Sequence, residues 1–103
     1  MTQSTNRVAA EAAAAPSIAN ANVATSTTSA ELIAARSGRA WVIIKNIDTS
    51  ITVYVGTGTV ATSGATGGLP LLAGESVQLD TSAAINGRSA SGTPSIAYVE
   101  GYY

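Results

Sequence analysis

Two apolar runs in the middle of the chain dominate its pattern of hydrophobic and polar positions. Residues 41–47 and 51–55 are rich in Val, Ile, Thr and Tyr, and Asp48, Thr49 and Ser50 form a short polar break between them. β-Branched and aromatic residues favour strands, and a short polar break between two such runs is typical of a turn. The pattern therefore predicts a central β-hairpin.

Alternation inside the first run places apolar side chains on both faces of the predicted strand. Val42 and Ile44 share one face, whereas Trp41, Ile43 and Ile47 share the other. A strand that is apolar on both faces is typical of burial on both sides, either within a sandwich or between subunits.

Short apolar runs separated by turn residues continue to the end of the chain. Further strands are predicted over residues 31–35, 69–72, 76–79, 88–91 and 95–98. Asn86 and Gly87 form a pair that is typical of a tight turn. About seven short strands without an amphipathic helix predict an all-β fold, a small β-sandwich or jelly-roll-like domain over residues 31–103. The expected core includes the side chains of Val42, Ile44, Val53, Val77, Leu79 and Ile96.

The first 30 residues have a different composition. They are mostly Ala, Ser, Thr and Asn, with Arg7 and Glu11 as the charged residues. Such a segment cannot bury enough apolar surface to offset the cost of ordering its backbone. We therefore expect an extended N-terminal arm over residues 1–30, ordered by contact with partner subunits. Its match to a signal peptide is poor because Glu11 interrupts the apolar segment.

Residues 56–68 form a long loop of Gly, Thr, Ser and Ala between two predicted strands. We expect a flexible surface loop there, with ligand binding as the alternative. Its first six residues match the glycine spacing of a dinucleotide-binding motif, but no helix is predicted to follow and hold a pyrophosphate. No cofactor is therefore expected.

The residue types needed for most catalytic sites are absent from the sequence. The chain has no Cys and no His, so thiolate or imidazole metal ligands and a histidine base are excluded. Asp48, Glu75 and Asp80 lie at predicted turns, without the spacing of a calcium loop or the aromatic neighbours of a glycosidase. Lys45 lies on a strand, where an apolar stem with a solvated head is the expected role. We expect no catalytic, cofactor-binding or metal-binding residues and predict that the chain is not an enzyme.

Charge and hydropathy argue against two classes of partner. The formal net charge is −1, which gives no basic surface for nucleic acid, and no apolar run has the length of a membrane-spanning helix. Neither nucleic acid nor membrane is therefore an expected partner.

Three segments carry a resemblance to a known group of proteins. They are RAWVIIKNIDTSITVYVG at 39–56, GGLPLLAGESVQLDT at 67–81 and SASGTPSIAYVE at 89–100. Together they resemble small virion proteins of tailed bacteriophages, which decorate or cement the capsid or form head fibres; the similarity covers residues 36–100. The resemblance implies β-sandwich subunits, often trimeric, on the capsid exterior, with arms that grip the major capsid protein. It carries over no catalytic residues.

The resulting expectation is a virion structural protein, made in the host cytoplasm, that binds and stabilises the outside of the capsid. A core without Phe, disulfide or metal is small for a domain of this length, which favours an oligomer and agrees with the trimer that the resemblance implies. The alternatives are a head-fibre or tail-fibre component, or a carbohydrate-binding or receptor-binding module that uses loop 56–68 and the tyrosines.

Overall fold

The computed structural model describes residues 17–103, which form eight strands and no helix. The strands are β1 (Ser17–Ala24), β2 (Ala30–Ile33), β3 (Arg39–Asn46), β4 (Val53–Gly56), β5 (Leu69–Leu71), β6 (Ser76–Leu79), β7 (Ile85–Ser89) and β8 (Ser95–Tyr102). They build two four-stranded sheets, sheet A in the order β1-β8-β3-β6 and sheet B in the order β2-β7-β4-β5. With no helix in this range, none is available there to cross a membrane.

The pairing of the strands is that of a jelly roll. The first strand pairs with the eighth, the second with the seventh, the third with the sixth and the fourth with the fifth, all antiparallel. This nesting results when one long antiparallel hairpin wraps so that its paired strands alternate between two sheets. The prediction of an all-β sandwich is confirmed.

The core lies between the two sheets and is built from strand positions that alternate inward. The side chains of Val42, Ile44, Val53 and Ile96 are fully buried, as predicted. Val77 and Leu79 are half-buried and pack against this cluster. The other buried members of the cluster are Leu32, Ile33, Val55, Leu71 and Ile85.

The predicted central hairpin is wrong, although both of its strands exist. β3 lies in sheet A between β8 and β6, whereas β4 lies in sheet B between β7 and β5. The chain changes sheets at a corner, where the Asp48 carboxylate accepts hydrogen bonds from the N–H groups of Ser50 and Ile51. An Asx turn of this kind satisfies the backbone locally, so the strands that follow it need not pair with each other.

The domain boundary predicted near residue 30 differs from the structure. Ser17–Ala24 form β1, which pairs along its whole length with β8, so the sandwich includes part of the proposed arm. Ala19, Ala21 and Val23 alternate inward with exposed Asn20 and Asn22. This regular pattern was hidden because Ala adds little hydrophobicity to a strand. The rest of the proposed arm, residues 1–16, lies outside the described residues.

The predicted turn at Asn86 and Gly87 is also wrong, because both residues lie inside β7. A Cβ added to Gly87 would lie 2.6 Å from the Tyr54 carbonyl oxygen and 2.7 Å from the Leu32 Cδ1 atom. Glycine is required there by the close approach of neighbouring atoms and not by turn geometry.

Candidate functional site

The loop formed by residues 57–68 has a defined backbone structure. Ala61 donates to the Thr66 carbonyl and Gly68 donates to the Ala61 carbonyl, each at 2.9 Å, so the two arms of the loop pair with each other. Gly64 stands at the tip with a φ of 82°, a backbone conformation that favours glycine. The loop predicted to be flexible is therefore closed by its own hydrogen bonds.

Two contacts fix this loop against sheet B. The Asn86 side chain donates to the Gly58 carbonyl at 2.7 Å, and the Val60 N–H donates to the Ser29 hydroxyl oxygen at 2.9 Å. Val60 is 3% exposed, although it lies outside the main core cluster. Its side chain packs so closely on Gly68 that a Cβ there would lie 2.5 Å from it. The loop thus has its own small apolar anchor.

Between the arms of the loop lies a depression of about 380 Å³. Its lining is Val55, Gly56, Thr57, Thr59, Val60, Ala65, Thr66, Gly67, Gly68 and Leu69. Threonine hydroxyls and backbone groups supply its polarity, and this lining includes no charged or aromatic side chain. Such a surface can exchange hydrogen bonds with a polar ligand, but it offers no acid, base or nucleophile activated by a base.

The outward side of sheet A is a second candidate surface. Ile18, Trp41, Ile43 and Val99 occupy neighbouring outward positions on β1, β3 and β8; we call them the apolar face. Ile18 is 65% exposed and the other three are half-buried. A shallow depression of about 290 Å³ lies beside this face. Apolar side chains grouped on one exposed side of a sheet are a feature of contact surfaces.

The Trp41 ring packs against Gly101 of the neighbouring strand. A Cβ on Gly101 would lie 2.5 Å from two indole carbons, Cε2 and Cζ2. The glycine leaves the space that the indole fills, so the ring covers β8 at this position.

A buried charged cluster closes one end of the sandwich. The Arg39 side chain, fully buried, donates to the carbonyls of Thr81, Ala34 and Ala83, and its Nη1 atom lies 3.6 Å from Glu100 Oε1. Within residues 17–103 that oxygen has no hydrogen-bond donor. The positive charges of Arg39 and Arg36 therefore compensate the cost of burying the carboxylate.

Arg36 extends this cluster to the surface. Its Nε atom lies 3.3 Å from Glu100 Oε1, and its guanidinium stacks on the Tyr102 ring at 3.8 Å from the centroid. The cluster was not predicted from the sequence, although Glu100 occupies an inward position two residues after Tyr98, which is an unusual place for a carboxylate. Both arginines lie within ion-pair distance of Glu100, which is the arrangement of a structural ion-pair cluster.

The three acidic residues weighed as ligands each accept a hydrogen bond from a different part of the chain and do not form a common metal site. Asp48 accepts from backbone N–H groups, Glu75 accepts from the Leu72 N–H at 2.8 Å, and Asp80 accepts from the Gln78 side chain at 3.1 Å. Residues 17–103 contain no group of three or more acidic side chains placed to hold a metal ion. The hydrogen bonds from the N–H groups of Ser50 and Ile51 hold the pKa of Asp48 below its ordinary value of 3.8.

Comparison with known proteins adds one likeness of fold. No family model matches the sequence, and no curated protein matches it. Among solved structures, the chain is similar to the stem and receptor binding domain of the spike protein P1 from bacteriophage PM2, with a TM-score of 0.60 and 16% identity. The likeness covers 76% of this chain and 31% of that chain, so the present chain spans about a third of the spike structure. At this identity the likeness establishes a shared fold.

Proposed function

We propose that this chain is a structural protein of a bacteriophage virion, exposed on the outside of the particle and without enzymatic activity. The observation that carries the proposal is the jelly roll itself, which is similar in fold to a phage spike over most of the chain. A resemblance found on different grounds, the three segments between residues 39 and 100, supports the same class of protein.

The first candidate role is recognition of a receptor or glycan by the loop of residues 57–68. The loop follows β4 and is held by its own hydrogen bonds, so its exposed threonines can meet a ligand without first being ordered. Its depression offers hydroxyl and backbone groups to the hydroxyls of a sugar or to a polar peptide. A receptor-binding module or a fibre component would use such a loop.

The second candidate role is decoration of the capsid, in which the protein binds the major capsid protein and stabilises the shell. The apolar face supports it, because Ile18 and its three neighbours group apolar side chains on the outward side of sheet A, apart from the loop. On this proposal the protein is made in the host cytoplasm and joins the particle during or after assembly. The trimer expected from the sequence stays a prediction.

The two roles can be separated by substitutions in the gene of the phage that encodes the protein. Thr59→Arg with Ala65→Arg fills the depression from exposed positions, and Ile18→Glu with Ile43→Glu places charge on the apolar face. Thr93→Arg, in the exposed loop after β7, is the matched control. The readouts are adsorption to host cells and survival of particles after heating.

Receptor binding predicts that the loop substitutions lower adsorption while heat survival is unchanged. Decoration predicts that the substitutions in the apolar face lower heat survival while adsorption is unchanged. If neither double variant differs from Thr93→Arg in either readout, both roles are wrong.

A further inference from the structure

The four edges of the two sheets differ sharply in how they are protected. The edge strand β2 has four residues, includes the charged Glu31, and shifts register in its pairing with β7. The edge strand β5 has three residues and includes Pro70, and the edge strand β6 has four residues. Short strands, charges, bulges and proline are the usual means by which proteins prevent an edge from pairing with another chain. Three of the four edges therefore carry at least one of these protections.

The β1 edge lacks all of them. It has eight residues, SIANANVA, without charge or proline, and its register with β8 is unbroken. Within residues 17–103 no other strand pairs with its far side. A long, regular and neutral edge is a template for the addition of a further strand.

Hydrogen-bond geometry identifies which backbone groups β1 presents at this edge. The Thr25 N–H donates to the Pro94 carbonyl at 2.9 Å, so Thr25 and Pro94 are a hydrogen-bonded pair at the end of the ladder between β1 and β8. Because bonded pairs recur at every second residue of an antiparallel ladder, Ala21 and Val23 face β8. The N–H and C=O groups of the alternate residues point away from β8, and these residues are Ile18, Asn20, Asn22 and Ala24.

We propose that β1 pairs antiparallel with β1 of a second copy of this chain, about a two-fold axis at Ala21, which makes a dimer in place of the trimer expected from the sequence. In that register Asn20 lies opposite the partner's Asn22, and Ile18 lies opposite the partner's Ala24. Each of these pairs joins two residues whose N–H and C=O groups point to the edge, so all four edge residues of each copy form hydrogen bonds with the other copy. The two copies of sheet A then form one continuous sheet.

The sequence of β1 favours a second copy over an unrelated strand. The two-fold register is self-complementary, since the side-chain amides of Asn20 and the partner's Asn22 both donate and accept on the same outward face. β1 carries no charge, so two identical strands meet without repulsion. The inward side chains near the axis are alanines, which allow two sandwich edges to approach closely.

Proline at position 20 provides a selective test with the full chain. The Asn20 N–H points to the free edge, so Asn20→Pro removes an edge donor and blocks pairing while the ladder with β8 is kept. Gln78→Pro is the matched control. Asn46 donates to the Glu75 carbonyl at 2.9 Å, so hydrogen-bonded pairs between β3 and β6 recur at every second residue from Glu75. The N–H of Gln78 therefore points to the free edge of β6, as the N–H of Asn20 points to the free edge of β1. Circular dichroism and thermal melting of each variant verify that the sandwich is folded.

Sedimentation velocity at a series of protein concentrations then measures association. We expect a dimer for the wild type and for Gln78→Pro, and a dimer dissociation constant at least about 100-fold higher for folded Asn20→Pro, since each copy loses a hydrogen bond and gains a clash. A wild type that stays monomeric, or an oligomer of any size that Asn20→Pro leaves unchanged, overturns the proposal. The experiment uses no phage particles, so its outcome is independent of the proposed virion role.

A unique cysteine tests the register. The chain has no Cys, and Ala21→Cys would face its own copy across the axis at a separation that a disulfide can bridge. We expect rapid oxidation of Ala21→Cys to a covalent dimer and slow oxidation of the control, Gln78→Cys. Equal rates for the two variants would contradict the proposed pairing, even if Asn20→Pro folds poorly.

Discussion

The two ends of β3 hold the sandwich together by different means. Arg39, at its first residue, is a buried cation with three carbonyl acceptors and a buried carboxylate beside it. Asn46, at its last residue, is a fully buried amide, with its Nδ2 group 2.7 Å from the Ile51 carbonyl and 2.8 Å from the Leu71 carbonyl. Both ends connect sheet A to the opposite side of the core.

The difference lies in what each end requires from the rest of the chain. The amide of Asn46 needs only backbone groups, and its oxygen also accepts the Asp48 N–H at 3.0 Å, so the neutral end is complete in itself. The charged end needs Glu100, an ionised partner from another strand. A buried charge is costly unless it is paired, whereas a buried amide needs only its hydrogen bonds.

The largest effect is therefore expected at the charged end. Arg39→Ala leaves the Glu100 carboxylate buried beside the half-exposed Arg36 and removes donors from three carbonyls. We expect a loss of about 3–5 kcal/mol in the free energy of unfolding. Urea titration followed by circular dichroism measures it.

Arg36→Ala is the control for this substitution, since its side chain is 37% exposed and we expect a loss of about 1 kcal/mol or less. Equal losses for the two substitutions would contradict the distinction between the buried and the half-exposed arginine.

At the neutral end, Asn46→Ala leaves the carbonyls of Ile51 and Leu71 buried without their donor. The expected loss is about 2–4 kcal/mol in the free energy of unfolding, because each buried unsatisfied group carries its desolvation cost. Urea titration of Thr93→Ala, an exposed polar residue in the loop after β7, supplies the comparison, with an expected change within about 0.5 kcal/mol. Similar values for the two substitutions would refute the bridging role of Asn46.

The sequence allowed the fold class and much of the core to be predicted, because alternation in β3 and β8 is strong. Val42, Ile44 and Ile96 are apolar residues at inward positions of long strands, where the two-residue period is unambiguous. The partners of these strands could not be predicted. The pairing of β3 with β6 and β8 depends on a corner at Asp48 that resembles a hairpin turn in sequence.

The candidate surfaces were predicted only in part. The loop of residues 57–68 was identified by its composition, but its closure depends on backbone hydrogen bonds that composition does not encode. The charged cluster joins residues from distant parts of the chain, Arg36 and Arg39 with Glu100. Only the inward position of Glu100 could have indicated it.

A packing substitution at the charged end is expected to have a smaller effect. Gly101→Ala puts a methyl group where the Trp41 ring lies, and the half-exposed indole must move outward. We expect a loss of about 1–3 kcal/mol and a red shift in fluorescence, which reports the single Trp of the chain. Ala97→Ser, on the same side of β8, is the control; an unchanged emission spectrum in Gly101→Ala would contradict the stacking.

The smallest effect is expected at Asp48, beside the neutral end. Hydrogen bonds from Ser50 and Ile51 lower the pKa of this carboxyl in the folded protein. The ionised carboxylate therefore stabilises the fold at pH values above 3.8, the ordinary pKa of this group. That contribution is lost as the pH falls through the lowered pKa. The melting temperature of Asp48→Ala should therefore lie slightly below that of the wild type at neutral pH and approach it at about pH 2. A difference that is unchanged by acid would contradict the assignment.

The central claim, that this jelly roll is a virion surface protein, is tested most directly by its presence on purified particles. On the proposed function the gene belongs to a phage, and particles of that phage can be banded in a density gradient and treated with protease before quantitative mass spectrometry of their peptides. The proposal predicts peptides from residues 17–103 in a fixed ratio to the major capsid protein, and a loss of these peptides after protease treatment of intact particles. Absence of the protein from banded particles, or full protection of its peptides inside an intact shell, would contradict the account.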